Sequence, residues 1–175
     1  MRLLAEPLSR EAFAPFGEVI EAGADRASFP INGGSARRFH GLARLDAGEG
    51  GRLTVSIFRA RPRRLPFAVT LLERHPKASQ AFMPLSGQPF LVVAAPKGET
   101  VDPARIRAFL AHGRQGVNFS PGVWHHPLAA LARESDFLVI DREDPTDNCD
   151  ERTLAAPVEV DCSGEALENF RPEKV

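Results

Sequence analysis

Alternation of apolar and polar positions is the clearest signal in the chain. From Arg52 to Ala60, Leu53, Val55 and Ile57 fall on one face of an extended segment and Thr54, Ser56 and Phe58 on the other. That is the pattern of a strand covered mainly on one side. Short apolar runs at Phe67–Glu73, Gln80–Leu85, Phe90–Ala95, Ile106–Leu110 and Asp136–Ile140 predict further strands. The 15 prolines and 14 glycines are spread along the chain and punctuate these runs, as turns between strands do. Six or more short strands at roughly regular spacing predict an all-β fold, with sandwich, barrel and jelly roll all open on this ground alone. Helix is confined to short peripheral pieces. Ser9 is placed to cap a helix from Glu11 to Ala14 that Pro15 stops, and Asp102-Pro103-Ala104 starts one further turn.

Length and composition narrow the function classes. A chain of 175 residues suits one domain with a real core and needs no disulfide or metal staple. Residues 1–175 are therefore read as a single domain. Apolar periodicity fades after Asp161, so 162–175 is expected to form a surface or interface tail. With 22 Lys+Arg against 23 Asp+Glu, no global field favours nucleic acid or an anionic membrane. Cys149 and Cys162 match neither a disulfide framework nor a C-x-x-C pattern, which points to a reducing compartment. The opening Met1-Arg2-Leu3-Leu4-Ala5-Glu6 is too briefly apolar for a signal-peptide core, and no stretch approaches membrane-spanning length. The expectation is a cytoplasmic protein without a nucleic-acid or membrane partner.

The candidate chemistry lies in two segments. In Glu73-Arg74-His75-Pro76, residues two apart in a strand share a face, so Glu73 and His75 project together and Gln80 can return to them from the next strand. Pro121-Gly122-Val123-Trp124-His125-His126 adds two imidazoles beside a proline-glycine turn. Adjacent side chains in extended backbone point to opposite faces, so a site containing His125 leaves His126 at its rim or beyond. Glu73, His75, Gln80 and Gly87 match position by position the first ligand motif of cupins, His-x-His-x4-Glu-x6-Gly, and Gly122 and His125 match the Gly-x-x-His end of the second. Glutamate replaces the first histidine, and glutamine replaces the glutamate. Pro121 directly precedes Gly122, and Ala129 stands where asparagine often follows. The swap keeps one anionic ligand and two histidines, a nitrogen and oxygen set that suits Ni, Mn, Fe or Zn without a thiolate.

Longer phrases resemble the ureidoglycolate lyase family over Pro7 to about Glu151. They include Asn32-Gly33, Arg38-Phe39-His40, Leu72-Glu73-Arg74-His75-Pro76, Gly116-Val117-Asn118, Val123-Trp124-His125-His126-Pro127-Leu128 and Asp147-Asn148-Cys149-Asp150. The resemblance implies a cupin-like β-barrel or jelly roll and a homodimer. It also implies cleavage of (S)-ureidoglycolate to glyoxylate and urea in allantoin breakdown, with nickel or another divalent ion sometimes associated.

Such a cleavage opens a hemiaminal by elimination: it removes a hydroxyl proton, protonates the departing nitrogen and holds a carboxylate. Glu73, His75 and His125 are the expected catalytic residues, and Glu73, His75, Gln80 and His125 the expected metal ligands. In a metal-free alternative His75 or His125 acts as general base. Arg38, His40, Arg59, Gln80 and His126 are the expected substrate-binding residues. Trp124 is expected to pack as wall or core. Cys149 has acidic neighbours that raise a thiol pKa, which argues against a nucleophile. Arg61-Pro62-Arg63-Arg64 reads as a solvated turn. An amidohydrolase releasing ammonia, another metal-dependent cupin enzyme and a non-catalytic small-acid-binding module remain as alternatives.

Overall fold

The computed structural model describes residues 1–143 and 148–163. Its strands are β1 (Arg2–Leu4), β2 (Glu6–Pro7), β3 (Gly17–Ile20), β4 (Ser28–Ile31), β5 (Ala36–Phe39), β6 (Leu53–Ala60), β7 (Phe67–Arg74), β8 (Gln80–Pro84), β9 (Phe90–Ala95), β10 (Arg107–Ala111), β11 (Gly116–Phe119), β12 (Trp124–His125), β13 (Ala129–Ala130), β14 (Ser135–Arg142) and β15 (Asp150–Asp161). One short α-helix, α1 (Arg10–Phe13), is capped as expected, with the Ser9 hydroxyl accepting from the Ala12 N–H at 3.2 Å. The Asp102 carboxylate likewise caps a single 3-10 turn at Pro103–Arg105.

The larger sheet runs β1-β15-β7-β12-β9-β10-β2, with β13 alongside β9. Its two outer members are consecutive in sequence. β1 pairs in parallel with β15 and β2 in parallel with β10, so one N-terminal segment spans both edges and closes the sheet upon itself. Closure removes the exposed edges that an open sheet leaves. A second sheet runs β3-β11-β8-β14-β6. The fold is thus all-β and cupin-like, a barrel with short peripheral helical pieces, as the turn spacing and motif resemblance led us to expect.

Two apolar cores follow from strands buried on both faces. Leu91, Val93 and Ala95 of β9 belong to one core with Trp124, Val69, Leu72 and Val160. The alternate residues Phe90, Val92 and Ala94 belong to the other with Phe82, Phe109, Phe119 and Phe137. The continuous apolar run at Phe90–Ala95 has this physical origin. In the second core Phe13 from α1 is fully buried and meets the Phe109 ring edge-on at 5.5 Å. Burial of such a side chain contributes about 1.5–3 kcal/mol.

Three features add to the sequence reading. The alternation of β6 is real, but its apolar row faces outward: Leu53, Val55 and Ile57 are 39, 64 and 55% exposed, whereas Thr54 and Ser56 are half-buried. The inner face of β6 lines a cavity mouth and carries Phe58, which explains the inversion. Within the expected surface tail 162–175, Cys162 is buried in the first core; 164–175 lie outside the described residues. Finally, 28–39 forms a separate two-stranded hairpin, β4 paired with β5, whose polar, glycine-containing sequence carries no strand period.

Candidate active site

β7 and β12 of the closed sheet lie side by side, with Glu73 directly opposite His125 in the register. Gln80 opens β8 in the second sheet, and His75 follows the end of β7. The motif spacing therefore converges in space between the two sheets. Glu73, His75 and His125 each offer a ligand atom, and these atoms lie within 4.8 Å of one another. His125 is held on one side by Phe119, whose ring stacks on it at 4.1 Å and 11°.

Hydrogen bonding fixes what each atom can do. The Nδ1–H of His75 donates to the Asn148 carbonyl at 2.5 Å; a carbonyl only accepts, so the Nε2 of neutral His75 keeps its lone pair. Among the described residues that Nε2 is buried without a hydrogen-bond partner, which leaves its lone pair available to a ligand or a proton. The Nδ1–H of His125 donates to the Val123 carbonyl at 3.0 Å. Its Nε2 therefore faces the Gln80 Oε1 at 3.1 Å and the Glu73 Oε1 at 3.5 Å. Gln80 cannot reverse its amide without loss, because its Nε2–H donates to Asp141 at 3.3 Å. Three electron-rich atoms facing each other require a positive centre among them, either a proton on His125 or a cation. Burial disfavours ionised Glu73, yet the hydrogen bond from His125 and the nearby imidazoles outweigh it and hold the carboxyl below its ordinary range. Two imidazole nitrogens, a carboxylate oxygen and an amide oxygen fit a divalent cation.

A cavity of about 550 Å³ opens beside this cluster, with Glu73 in its lining and Phe58 and Phe82 on its walls. Arg59, Arg61 and Arg63 also line it. Arg59 is committed to a fork with Asp136, through Nε at 2.7 Å and a terminal nitrogen at 2.9 Å.

Several expected residues are not brought to the cluster. Arg38 and His40 belong to the hairpin region: Arg38 is paired with Phe29, and the His40 ring lies 6.1 Å from that of Phe29. Among the described residues neither makes a hydrogen bond or ring contact with Glu73, His75, Gln80 or His125. His126 turns to the other face, as adjacent side chains must. It meets Phe67 edge-on at 4.9 Å and faces the Pro127 carbonyl at 2.5 Å. Burial, the first cause, and Arg63 then lower its pKa. Trp124 is core: it is fully buried and donates to the Gly98 carbonyl at 2.9 Å. Cys149 lies within 4.8 Å of Glu73 and Glu151, and burial followed by those carboxylates raises its thiol pKa. Sequence reasoning missed the roles of Asn148 and Asp141, whose only signal is a polar residue at the inner end of a strand or loop. Arg61 and Arg63 are exposed, as the solvated-turn reading expects, and they also line the cavity.

The family model described as ureidoglycolate lyase matches residues 1–161. A ureidoglycolate lyase of Burkholderia cepacia is 54% identical over 168 residues, covering 93% of this chain and 94% of its own length. One from Burkholderia mallei (strain NCTC 10229) is 55% identical over 153 residues, covering 87% and 89%. One from Azotobacter vinelandii is 55% identical over 154 residues, covering 86% and 92%. Among solved structures, a dTDP sugar isomerase from Desulfovibrio desulfuricans G20 superposes with a TM-score of 0.47 at 18% identity, over 81% of this chain and 88% of that one. The sequence matches over most of both lengths establish that the chain belongs to the ureidoglycolate lyase family.

Proposed function

We propose that the chain is a lyase that eliminates urea from (S)-ureidoglycolate to give glyoxylate, at the cluster of Glu73, His75, Gln80 and His125. The observation that carries the reading is the Nε2 of His75, buried and without a partner among the described residues, beside an ionised Glu73, in a chain of the ureidoglycolate lyase family. The step is balanced without water. The hydroxyl loses its proton as the carbonyl forms, the carbon–nitrogen bond breaks with its electron pair going to nitrogen, and that nitrogen takes a proton.

In the cation-free form, His75 Nε2 is the atom that takes the hydroxyl proton and returns it to the departing nitrogen, its tautomer fixed by Asn148. Glu73 accepts from the substrate's N–H or O–H donors and is itself oriented by His125. The same four side chains fit a divalent ion, nickel being the candidate that the family resemblance implies. When bound, the ion would supply Lewis acidity that lowers the hydroxyl pKa. Chelation separates the two forms.

We read residues 1–175 as one catalytic domain that works as a homodimer in the cytoplasm, within allantoin breakdown. The outward apolar row of β6 supports a second copy as partner. Ile57 stands beside Leu138 and then Met83, and Val55 beside Ile140, forming a contiguous patch of the kind that marks an interface. The two free thiols, Cys149 and Cys162, support a reducing compartment.

The test is incubation of the purified protein with (S)-ureidoglycolate, with urea, ammonia and glyoxylate quantified before and after chelation and metal addition. Equal urea and glyoxylate without ammonia is the expected result. Ammonia as the primary product indicates an amidohydrolase, and binding without turnover indicates a non-catalytic module.

A further inference from the structure

We infer that Arg61 and Arg63 form the carboxylate-binding and specificity-determining element of this site. The inference rests on the lyase reading and gives it a polarity: the acid end of a small hydroxy- or oxo-acid is held at the cavity rim, and the reacting carbon faces Glu73.

Three arginines line the cavity, and their commitments differ. Arg59 already has its forked partner in Asp136, supported at longer range by Glu134. Among the described residues Arg61 and Arg63 have no carboxylate partner, and both are exposed. A guanidinium presents several N–H donors in a planar fork that matches a carboxylate, and it has no acceptor. The rim therefore offers donors and positive charge. The same cavity also offers the Glu73 carboxylate, whose side chain is only 17% exposed and so lies deeper than the two arginines.

A molecule carrying a carboxylate at one end and hydroxyl and N–H donors at the other satisfies both charges in one orientation only. Reversed, it sets carboxylate against carboxylate and leaves the guanidinium donors unmatched.

Arg63 is held ready for this task. Its backbone N–H donates to the Ala130 carbonyl at 2.8 Å, which ties the segment after β6 to β13. Its guanidinium lies over the Phe67 ring, 5.5 Å from the centroid. A planar cation stacked on an aromatic face keeps its edge N–H groups free to bind an anion. Pro62 between the two arginines restricts the backbone that carries them. The proline-spaced basic cluster thus gains a use that a solvated turn does not have, and neither Arg38 nor His40 is required for it.

The test compares Arg61→Ala, Arg63→Ala, the double variant and both Arg→Lys variants with Arg64→Ala, which removes a neighbouring exposed cation that does not line the cavity. Folding is checked by thermal unfolding. Each alanine variant at position 61 or 63 is expected to raise KM by roughly 10- to 100-fold, the range for loss of a charge-assisted hydrogen bond, with little change in kcat. The lysine variants are expected to recover part of the loss, and Arg64→Ala to match the unmodified protein.

Direct binding of glyoxylate and of uncharged glycolaldehyde, measured by calorimetry, gives a readout that needs no turnover. Glyoxylate binding should weaken in the alanine variants and glycolaldehyde binding should not. A folded double variant that keeps KM and glyoxylate affinity overturns the inference. If the unmodified protein produces no urea yet binds glyoxylate through Arg61 and Arg63, the lyase reading fails and the anion site stands.

Discussion

The backbone N–H of Gly122 donates to the carbonyl of His75 at 2.8 Å, so the turn that delivers His125 is bonded directly to the residue beside it in the cluster. Ser120–Val123 closes as a β-turn, with the Val123 N–H donating to the Ser120 carbonyl at 3.1 Å. Gly122 adopts φ +79°, the left-handed conformation that turns of this kind require at a glycine. A Cβ there would meet nothing closer than a Lys97 side-chain carbon at 3.9 Å. The cost of Gly122→Ala is therefore backbone strain and not collision, about 1–2 kcal/mol. Denaturant unfolding should show that loss, with activity reduced as His125 shifts. Unchanged stability would remove the turn from the account of the site.

Asn148 bonds once to His75 and once to the backbone just beyond it. Its carbonyl accepts from His75 Nδ1, and its side-chain oxygen accepts from the Lys77 N–H at 2.8 Å, which anchors the loop. Asn148 is 5% exposed. Asn148→Ala should cost about 1–3 kcal/mol, the penalty for deleting one partner of a buried hydrogen bond. Asn148→Asp, which keeps the acceptor, should recover part of it. If His75 is the base, kcat falls with Asn148→Ala more than KM rises. A KM effect alone would separate the loop from proton transfer.

The barrel and the donor set were legible in the sequence to different depths. Glu73, His75, Gln80 and His125 could be found because ligand spacing survives even where identities change: strand period and a proline-glycine turn place them whatever the side chain. β15 was not legible, since Pro157 and a register shift between Thr153 and Val158 break its alternation. Arg38 and His40 lie in the hairpin and not at the cluster, since nearness within a family phrase carries no information about distance in the fold. Arg61 and Arg63 were overlooked for the opposite reason. A charge cluster reads as solvent-facing until the cavity it borders is known. β6 shows the limit of periodicity: alternation reveals that two faces differ and not which one the protein covers.

Cation binding should be visible without turnover. A ligand that binds only the folded state stabilises it by RT ln(1 + [L]/Kd), about 2.7 kcal/mol at a hundred times Kd. Nickel, manganese or zinc added to chelator-treated protein is expected to raise the unfolding midpoint. Glu73→Gln and His75→Ala should abolish that rise. A midpoint insensitive to all three ions in the unmodified protein would leave the proton-based mechanism as the working one.

Ile57 tests the outer face of β6. It is 55% exposed and paired with Leu138, and it sits on the side of the strand opposite the cavity. Ile57→Glu places a charge in the middle of the apolar patch. If two copies meet there, the carboxylate must be desolvated against its symmetry mate, and the dimer dissociates. Light scattering after size exclusion should then report a monomer that keeps its β-sheet circular dichroism. A dimer that persists in Ile57→Glu points to another face.

The Arg59 and Asp136 fork gives the outer face of β6 and β14 a pH dependence. The hydrogen bond from Arg59 is the main cause that holds the Asp136 carboxyl below its ordinary range, near 3.9 in an unfolded chain. Because the folded value is depressed, the unfolded chain binds the proton more readily as pH falls. The contribution to stability is complete above the unfolded pKa and is lost as pH drops through the lower folded value. Acid unfolding curves of the unmodified protein and Asp136→Asn should therefore differ above about pH 4 and converge below it, with salt shrinking the gap at this exposed pair. Lower stability of Asp136→Asn at neutral pH, with the gap gone in acid, is the signature of this fork on the outer face of β6 and β14. A gap that persists at pH values below the folded pKa would assign the loss to another contact of Asp136.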